Sequence, residues 1–233
     1  MNKSPAIPDI VVSRLPLYLR ALQRMAQEGQ CVTSSHELGK RLGISAAQIR
    51  KDLSLFGEFG KQGTGYQINY LIEKLRQILN VNRVWDMVVV GAGDIGHALC
   101  RYQGFKDRGF RVVMVFDNDP QKIGSKVGPF TVQSTETMIQ AIREHDIKVA
   151  MLAVPADQAQ AVADLLVQAG IKAILTYAPI NLVVPEDVFV QNTDPVTHLQ
   201  RMSYFLSPLP AGKLRRIIGY IAKPFAAPSA TQV

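Results

Sequence analysis

The chain has 233 residues, of which 47% are hydrophobic, and its formal net charge is +7. This length suggests one large domain or two of modest size, and the apolar fraction excludes a disordered chain. No apolar run approaches the ~18 residues of a membrane span, and the first ten residues lack the apolar core of a signal peptide. Two cysteines, Cys31 and Cys100, cannot by themselves build a disulfide framework or a four-ligand zinc site. We therefore expect a reduced, soluble, cytoplasmic protein without a metal site.

The positive charge is concentrated at the two ends of the chain. The net charge is +6 over residues 1–85, −3 over residues 86–207 and +4 over residues 208–233. This asymmetry favours a nucleic-acid-binding segment joined to a different kind of domain. A basic surface that is merely solvated is the alternative.

The N-terminal third has the pattern of a helix-turn-helix motif. Apolar residues at helical spacing predict a first helix over Ile10 to Met25. Two capping boxes follow, beginning at Ser34 and Ser45, and Gly43 separates the short helices that they start. In such motifs the second helix enters the major groove of DNA. The outward residues of that helix are Gln48, Arg50 and Lys51.

Residues 55–70 are predicted to form a two-stranded hairpin, because glycines separate short apolar and aromatic pairs. Its tip would carry Lys61 and Gln62, and Leu71 to Leu79 predicts a connecting helix. A helix-turn-helix followed by a hairpin is a winged helix. Helix-turn-helix pairs also occur as plain structural elements, but the wing and the local charge favour DNA binding. The candidate DNA-binding residues are Ser34, Ser45, Gln48, Arg50, Lys51, Lys61 and Gln62.

A dinucleotide fingerprint lies in the middle of the chain. Asp86 to Val90 predicts a strand, His97 to about Lys106 predicts a helix, and the sequence between them is Gly91-Ala92-Gly93-Asp94-Ile95-Gly96. This strand–turn–helix context is the one that phosphate binding needs. The first glycine permits the tight turn, the second lets a pyrophosphate approach, and the third lets helix and strand pack closely. Free N–H groups at the helix start would bind the phosphates.

The next predicted strand, Phe110 to Phe116, ends at Asp117, about 21 residues after the last glycine of the fingerprint. A carboxylate there can accept hydrogen bonds from the adenine ribose hydroxyls. It would repel the additional phosphate of NADP, so NAD(H) is the preferred cofactor. The alternative is that Asp117 is an ordinary turn residue in the sequence DNDP.

Helices and strands continue to alternate along the rest of the central region. Helices are predicted at 135–145 and 156–169, and strands at 148–154, 171–177 and 188–190. Near-continuous apolar strands separated by helices indicate an α/β, Rossmann-like parallel sheet that is covered on both faces. Ligands of such sheets bind at the carboxyl ends of the strands. The nicotinamide side of the site is therefore expected at Val154, Pro155, Ala178 and Pro179.

No catalytic residues are predicted. The four histidines lie outside any recognisable catalytic pairing, and Cys100 is expected to be a core residue. Only about 40 residues follow the last clear strand, which leaves no room for a large substrate domain. An NAD-dependent oxidoreductase with an accessory winged helix is the alternative function. A regulator with another nucleotide effector, such as coenzyme A, is a third.

The sequence Asp194-Pro195 is typical of a helix start, with aspartate as the N-cap and proline in the first turn. The apolar stripe that follows consists of Val196, Leu199, Met202, Phe205 and Leu206. Such a helix packs either on a partner subunit or on its own domain, and the sequence leaves both open. The tail over 208–233 has no assigned role.

To about Ser207, the chain resembles the Rex family of bacterial redox-sensing transcriptional repressors. The segments that carry the resemblance are SRLPLYLRAL, TSSHELGKRLGISAAQIRKDLSLFGEFGKQGTGY, VVVGAGDIGHAL, RYQGF, VFDNDPQKIG, LAVP and GIKAILTYAP. The resemblance implies a homodimer that binds palindromic operator DNA and is released when NADH binds. It also implies that the C-terminal helix is exchanged, inserting between the two domains of the other subunit. The expected domains are a winged helix (1–84), a Rossmann-like NAD(H)-binding domain (85–193), the swapped helix (194–207) and a basic tail (208–233).

The resemblance further implies roles for individual residues. Arg50 and Lys51 would hold DNA, and the fingerprint and Asp117 would hold NAD(H). Tyr102, in RYQGF, resembles a family tyrosine near the nicotinamide. Arg20 and Asp194 resemble a pair that couples redox state to domain arrangement, so the candidate switch residues are Arg20, Tyr102 and Asp194. Some members carry arginine at the wing position of Gln62, where Lys61 is the alternative cation in this chain.

Overall fold

The structure is a computed structural model, and it describes residues 7–60 and 65–206. The two halves of the chain have the different architectures that the sequence predicts. Helices dominate up to residue 78, and a mostly parallel sheet flanked by helices follows.

The elements of the N-terminal half are α1 (Asp9–Val12), α2 (Leu15–Gln27), β1 (Val32–Thr33), α3 (Ser35–Leu42), α4 (Ala46–Ser54), β2 (Tyr66–Gln67) and α5 (Ile68–Ile78). The predicted single helix from residue 10 to 25 is wrong, because the helix is interrupted between Val12 and Leu15. Pro16 has no N–H to donate to the carbonyl of Val12, so the helical hydrogen bonds cannot continue through this point.

The helix-turn-helix prediction is confirmed by its caps. Ser34 Oγ accepts a hydrogen bond from the N–H of Glu37 at 3.1 Å, and Ser45 Oγ accepts one from the N–H of Gln48 at 3.2 Å. Gly43 ends α3 in the left-handed conformation, with φ of 68°, which favours glycine. The two helices are therefore fixed at both starts and at the turn between them.

The pairing of the predicted hairpin is corrected. Tyr66–Gln67 forms a strand, but it pairs antiparallel with Val32–Thr33, which precedes α3 in the chain. Residues 55–60, which belong to the described part, contain no strand. Strand β2 is therefore paired with a short strand that precedes the motif, and not with residues 55–60.

The N-terminal helices pack around an apolar core in which α2 is central. Leu22 and Met25 of α2 are fully buried against α5, where Leu71 and Leu75 are also fully buried. Helix α5 begins at Ile68, three residues earlier than predicted, because Ile68 lies on the same buried face.

A buried ion pair crosses this core and joins α2 to α4. Asp52 is fully buried, and Arg14 binds both of its carboxylate oxygens, Nε to Oδ2 at 2.6 Å and Nη2 to Oδ1 at 2.8 Å. Tyr18 Oη donates to Oδ2 at 2.6 Å, and Gln48 Nε2 donates to Oδ1 at 2.7 Å. Burial alone would raise the pKa of the Asp52 carboxyl, but these hydrogen bonds outweigh it and lower the pKa. The carboxylate is therefore ionised inside the domain.

The strands of the second half are β3 (Trp85–Val90), β4 (Phe110–Asp117), β5 (Lys126–Val127), β6 (Phe130–Ser134), β7 (Val149–Leu152), β8 (Ala173–Thr176) and β9 (Phe189–Asn192). They form one sheet in the order β5-β6-β4-β3-β7-β8-β9, in which all neighbours are parallel except β5 and β6. The helices are α6 (Asp94–Arg101), α7 (Met138–Glu144) and α8 (Ala156–Ala169), with 3₁₀ turns at Gln103–Arg108 and Thr135–Thr137.

The Rossmann-like prediction is confirmed, with corrections to two elements. The helix after the fingerprint begins at Asp94 and not at His97, and it ends at Arg101, because the backbone of Tyr102 is extended. The hairpin of β5 and β6 is not predicted by the sequence, since neither strand contains a long apolar run. It matters for the site because β6 continues the parallel sheet beyond β4.

The C-terminal helix α9 (Pro195–Leu206) has no buried residue. Its predicted cap is confirmed, since Asp194 Oδ1 accepts a hydrogen bond from the N–H of Val196 at 2.8 Å. Leu199, Met202 and Phe205 are each at least 61% exposed. Packing of this helix on its own domain, which the sequence left open, is therefore wrong.

Three further observations concern the described residues of both halves. Among the described residues, no helix has the length and apolarity needed to cross a membrane. The same residues bring together no group of three His, Cys, Asp or Glu side chains that could hold a metal ion. Cys100 is buried, as predicted, and burial raises the pKa of its thiol to about 11.

The buried ion pair generates a prediction about stability. Asp52→Ala leaves the Arg14 guanidinium without its partner, so we expect the free energy of unfolding of the N-terminal domain to fall by about 3–5 kcal/mol. The measurement is urea denaturation, monitored by circular dichroism. Asp86→Ala is the matched control, because Asp86 also binds Arg111 at two points, 2.7 and 2.9 Å, but on the exposed surface. Its effect should stay below about 1 kcal/mol, and equal effects of the two variants would contradict the prediction.

Candidate functional site

The fingerprint turn is shaped by two glycines that no other residue can replace. Gly91 has φ of 102°, and a Cβ there would collide with the carbonyl oxygen of Ala153 at the end of β7. A Cβ at Gly96 would collide with the carbonyl oxygen of Gly91. Helix α6 therefore starts directly on the carboxyl end of β3, as the motif requires.

Gly93 differs from its two neighbours because the protein itself does not require it. Its backbone is extended, and a Cβ there would meet no protein atom within 4 Å. Gly93 is exposed and precedes α6, whose first N–H groups have no partner inside the helix. A glycine that leaves open space at a helix start fits a bound phosphate group, which is drawn to these N–H groups.

Asp117 is tied to the same turn from the neighbouring strand. Its Oδ2 accepts a hydrogen bond from the N–H of Ala92 at 2.7 Å, and its Oδ1 accepts one from the N–H of Asp119 at 2.9 Å. Lys122 Nζ lies 3.3 Å from Oδ2. Burial would raise the pKa of the Asp117 carboxyl, but the two backbone N–H groups and Lys122 outweigh it and lower the pKa. The ionised carboxylate keeps lone pairs for further hydrogen bonds.

A cleft of about 900 Å³ lies at the carboxyl ends of β3, β4 and β7. Its size is at the upper end of the range of ligand pockets. The predicted residues that line it are Gly91, Gly93, Asp94, Ile95, Asp117, Val154 and Pro155. Sequence reasoning missed Asn118, Asp119, Lys122 and Gln158, which also line it. Their place in the sequence could have indicated them, because Asn118, Asp119 and Lys122 follow Asp117 closely in the segment DNDPQK.

Several predicted cofactor residues lie outside this cleft. Ala92 and Gly96 are buried within the turn and shape it from behind. Ala178 is also buried, and Pro179 is exposed beyond the end of β8. Tyr102 lies at the end of α6, where it is 48% exposed. The structure therefore brings together the phosphate and ribose side of the predicted site and, on its nicotinamide side, Val154 and Pro155 but not Ala178, Pro179 or Tyr102.

Tyr102 is held on the outer side of α6 by two contacts. Its ring packs edge-on against Phe105 with a centroid distance of 4.9 Å, and its hydroxyl accepts a hydrogen bond from Arg108 Nη1 at 3.2 Å. Arg108 in turn lines a groove between α2, α5 and the start of β4, which Arg20 lines as well. Asp194 caps α9 elsewhere, and the ion pairs of the described residues do not include one between it and Arg20.

The predicted DNA-facing residues separate into four groups. Arg50 and Lys51 are exposed on α4, and Arg50 Nη1 donates to Ser35 Oγ at 2.9 Å. Ser34 and Ser45 are exposed helix caps. The expectation that Gln48 points outward is corrected in one respect, because its Nε2 amino group turns back to the buried Asp52 while part of the side chain stays exposed. Lys61 and Gln62, the predicted wing tip, lie outside the described residues.

Comparison with known proteins assigns the family. Residues 6–54 match the family model described as "Putative DNA-binding protein N-terminus", and residues 82–180 match the one described as "CoA binding domain". The redox-sensing transcriptional repressor Rex of Chloroflexus aurantiacus is 51% identical over 207 residues, which cover 89% of this chain and 98% of that protein. The chain belongs to the Rex family.

Solved structures agree with this Rex assignment. The crystal structure of RSP in complex with β-NAD⁺ and operator DNA is similar with a TM-score of 0.84 at 35% identity. The crystal structure of RSP in complex with β-NADH is similar with a TM-score of 0.79 at 33% identity. Each match covers 93% of this chain and 99% of RSP.

The contrast between glycines generates a prediction about the cleft. Gly93→Ala places a methyl group where only a ligand would meet it, so we expect an unchanged melting temperature and at least about tenfold weaker NADH binding. Calorimetric titration and thermal unfolding measure the two effects. Gly96→Ala is the control, because its collision with Gly91 should lower the melting temperature itself. Unchanged NADH affinity in Gly93→Ala would mean that the cleft is not the phosphate site.

Proposed function

We propose that this chain is a redox-sensing transcriptional repressor that binds operator DNA as a homodimer and is released when NADH binds. The observation that carries the proposal is the presence of two sites in one chain. One is a cleft with an open Gly93 and an ionised Asp117, and the other is a helix-turn-helix that exposes Arg50 and Lys51. The related RSP has been crystallised with β-NAD⁺ and operator DNA and also with β-NADH.

The cleft favours NAD(H) over NADP(H). Asp117 is the residue next to the turn that would accept the ribose hydroxyls, and its two backbone hydrogen bonds fix the carboxylate in place. Asp119 adds a second carboxylate at the cleft. The two negative charges are balanced in part by the single positive charge of Lys122. The local charge therefore repels an additional phosphate. The residues present fit the dinucleotide, whose nicotinamide supplies the redox-dependent charge.

On the DNA side, the exposed cations would position the recognition helix. Arg50 and Lys51 lie on α4, which would enter the major groove. Ser34 and Ser45 lie at the starts of α3 and α4, which would face the phosphate backbone of the DNA. Helix N-termini of this kind bind phosphates through their N–H groups. In the proposed complex, Lys61 and Gln62 would approach the minor groove from the wing.

The exposed face of α9 supports a swapped homodimer. The groove between α2, α5 and β4 is lined by apolar side chains, among them Leu17, Leu19 and Phe110, and by three guanidinium groups and one carboxylate. An apolar helix that begins with an aspartate would match this groove in both polarity and charge. We therefore assign the groove to α9 of a second copy, with Asp194 of that copy facing Arg20. The domains are 1–84, 85–193, the swapped helix 194–207 and the basic tail 208–233.

The switch follows from the charge of the nicotinamide. NAD⁺ carries a positive charge on the ring and NADH does not, so the two forms can favour different arrangements around Tyr102 and Asp194. Tyr102 is linked through Arg108 to the groove that would receive Asp194. A ligand shifts the equilibrium between two such arrangements only to the extent that its affinities for them differ. A coupling of ~1–3 kcal/mol changes DNA affinity about 5- to 150-fold.

Regulation fits this chain better than catalysis. The described residues that line the cleft include no histidine or cysteine. Burial raises the pKa of the Cys100 thiol to about 11, which keeps it protonated and unreactive. The relatives are repressors by name. We propose that the protein acts in the cytoplasm, where operator DNA and NADH are both present.

Mobility-shift titration tests the proposed function directly. The probe is a palindromic duplex selected from random sequences by the wild-type protein. We expect NADH to weaken binding about 5- to 150-fold and NAD⁺ to leave it strong. Coenzyme A serves as the competing nucleotide. Equal effects of NADH and NAD⁺ would overturn redox sensing, release by coenzyme A alone would favour that effector, and turnover of NADH without DNA binding would favour an oxidoreductase.

A second prediction separates the two roles of Asp194. Asp194→Asn keeps the helix cap, because asparagine caps helices as well as aspartate, but it removes the charge that would face Arg20. We expect the factor by which NADH weakens operator binding to become about tenfold smaller, while the melting temperature of the protein is unchanged. Arg20→Gln should do the same, and the double variant should be no worse than either single variant. Additive effects would contradict a direct pair.

A further inference from the structure

The amide of Gln48 is held in one orientation by the buried carboxylate of Asp52. A carboxylate only accepts hydrogen bonds, so the group that faces it at 2.7 Å must be the Nε2 amino group of Gln48. Rotating the amide by half a turn would place Oε1 against an ionised oxygen. That arrangement loses the hydrogen bond and adds repulsion.

Asp52 cannot move to accommodate a different orientation. Its Oδ2 is bound by Arg14 and Tyr18, and its Oδ1 is bound by Arg14 and Gln48. Arg14 lies just before α2 and Tyr18 lies within it, and the carboxylate that they bind is fully buried. The hydrogen bond from Gln48 to Asp52, which we call the lock, is therefore fixed by buried groups and does not depend on a flexible surface contact.

Gln48 occupies a position from which a recognition helix reads bases. It is the third residue of α4, and its N–H is held by the cap of Ser45. The first residues of such a helix contact base edges in the major groove, and Gln48 is partly exposed there. Among the described residues, no donor is bonded to its Oε1. The contact with Asp52 therefore leaves Oε1 as an acceptor for DNA, beside the second hydrogen of Nε2.

We propose that Asp52 orients Gln48 so that Gln48 Oε1 accepts a hydrogen bond from the exocyclic amino group of an adenine or a cytosine in the operator. The proposal rests on the proposed DNA-binding function. In the major groove these amino groups are the donors, whereas guanine and thymine present acceptor oxygens. A locked acceptor therefore selects against guanine and thymine at that base. Gln48 is the reading residue, and Asp52 is its positioning residue.

Base analogues that lack a single amino group test this contact. The probe is the palindromic duplex selected by the wild-type protein, in which each adenine is replaced in turn by purine and each cytosine by 2-pyrimidinone. We expect one position in each half-site at which the wild type loses about five- to tenfold in affinity. Gln48→Ala should show no additional loss at that position and unchanged losses at the others. A loss that is the same in both proteins at every position would overturn the proposal.

Variants of the lock test the part of Asp52. Asp52→Asn replaces the acceptor by an amide that can also donate, so Gln48 can turn. We expect the preference for adenine or cytosine over guanine or thymine at the Gln48 position to fall about fivefold, while binding to random DNA at the same salt concentration is unchanged. Tyr18→Phe is the matched control, because it removes another hydrogen bond from the same carboxylate and leaves that of Gln48 in place. An equal loss of preference in both variants would mean that the network acts only through stability.

The two kinds of failure can be told apart. If the wild-type protein selects no common sequence from random duplexes, the proposed function is wrong. If it selects one but no amino group shows a loss that depends on Gln48, only the assignment of Gln48 and Asp52 is wrong. Should Asp52→Asn fail to fold in a thermal melt, the Gln48→Ala comparison on base analogues still decides the contact.

Discussion

The geometry of the second domain depends on the closeness of the backbone in the fingerprint turn. Because Gly91 and Gly96 leave no room for a side chain, helix α6 rests on the end of β3, and its first N–H groups face the edge of the sheet. Asp117 fixes the same turn from the next strand by accepting the N–H of Ala92. The side of the cleft that is predicted to take the phosphates and the ribose is therefore shaped by contacts within the protein itself. A site of this kind binds without a large reorganisation.

The first domain uses a buried charge for a similar purpose. Arg14 and Tyr18 approach Asp52 from α2, and the same carboxylate holds Gln48 on the recognition helix. Helix α2 also carries Arg20 on the groove that faces the second domain. A single helix thus contacts both the DNA-reading element and the surface where the two domains meet. In the proposed switch, this helix connects the groove at the second domain with the recognition helix.

Features that depend on neighbouring residues could be predicted from the sequence. The caps at Ser34, Ser45 and Asp194 and the fingerprint are local patterns, and each one is present in the structure. The break before Pro16 is local as well, but the apolar spacing on either side of it continues and conceals it. Long-range pairings could not be predicted. Thr33 meets Tyr66 across the motif, and Arg14 meets Asp52 across 38 residues, so no periodicity reports either contact.

The same limit explains the missed part of the cofactor site. The carboxyl ends of parallel strands gather Asp117, Val154 and Gly91 because the order of the strands is fixed, and this rule is general. The outward position of Tyr102 depends on where α6 ends, which is set by an extended backbone within an otherwise helical sequence. The orientation of Gln48 depends on Asp52, and Asp52 becomes buried only when the helices pack together. Sequence patterns located these residues, and their surroundings determine what they touch.

The exposed face of α9 has a consequence for the behaviour of the protein in the cell. In the proposed swapped homodimer, a subunit without its partner would display this apolar helix to chaperones and to proteases, so newly made chains would be exposed to degradation until they pair. The rate of such pairing depends on the square of the subunit concentration. At low expression, the amount of assembled repressor would therefore rise with the square of the rate of synthesis. A modest change in translation would then produce a disproportionate change in operator occupancy. The hydrophobic stripe would thereby make gene dosage a second input beside the nucleotide.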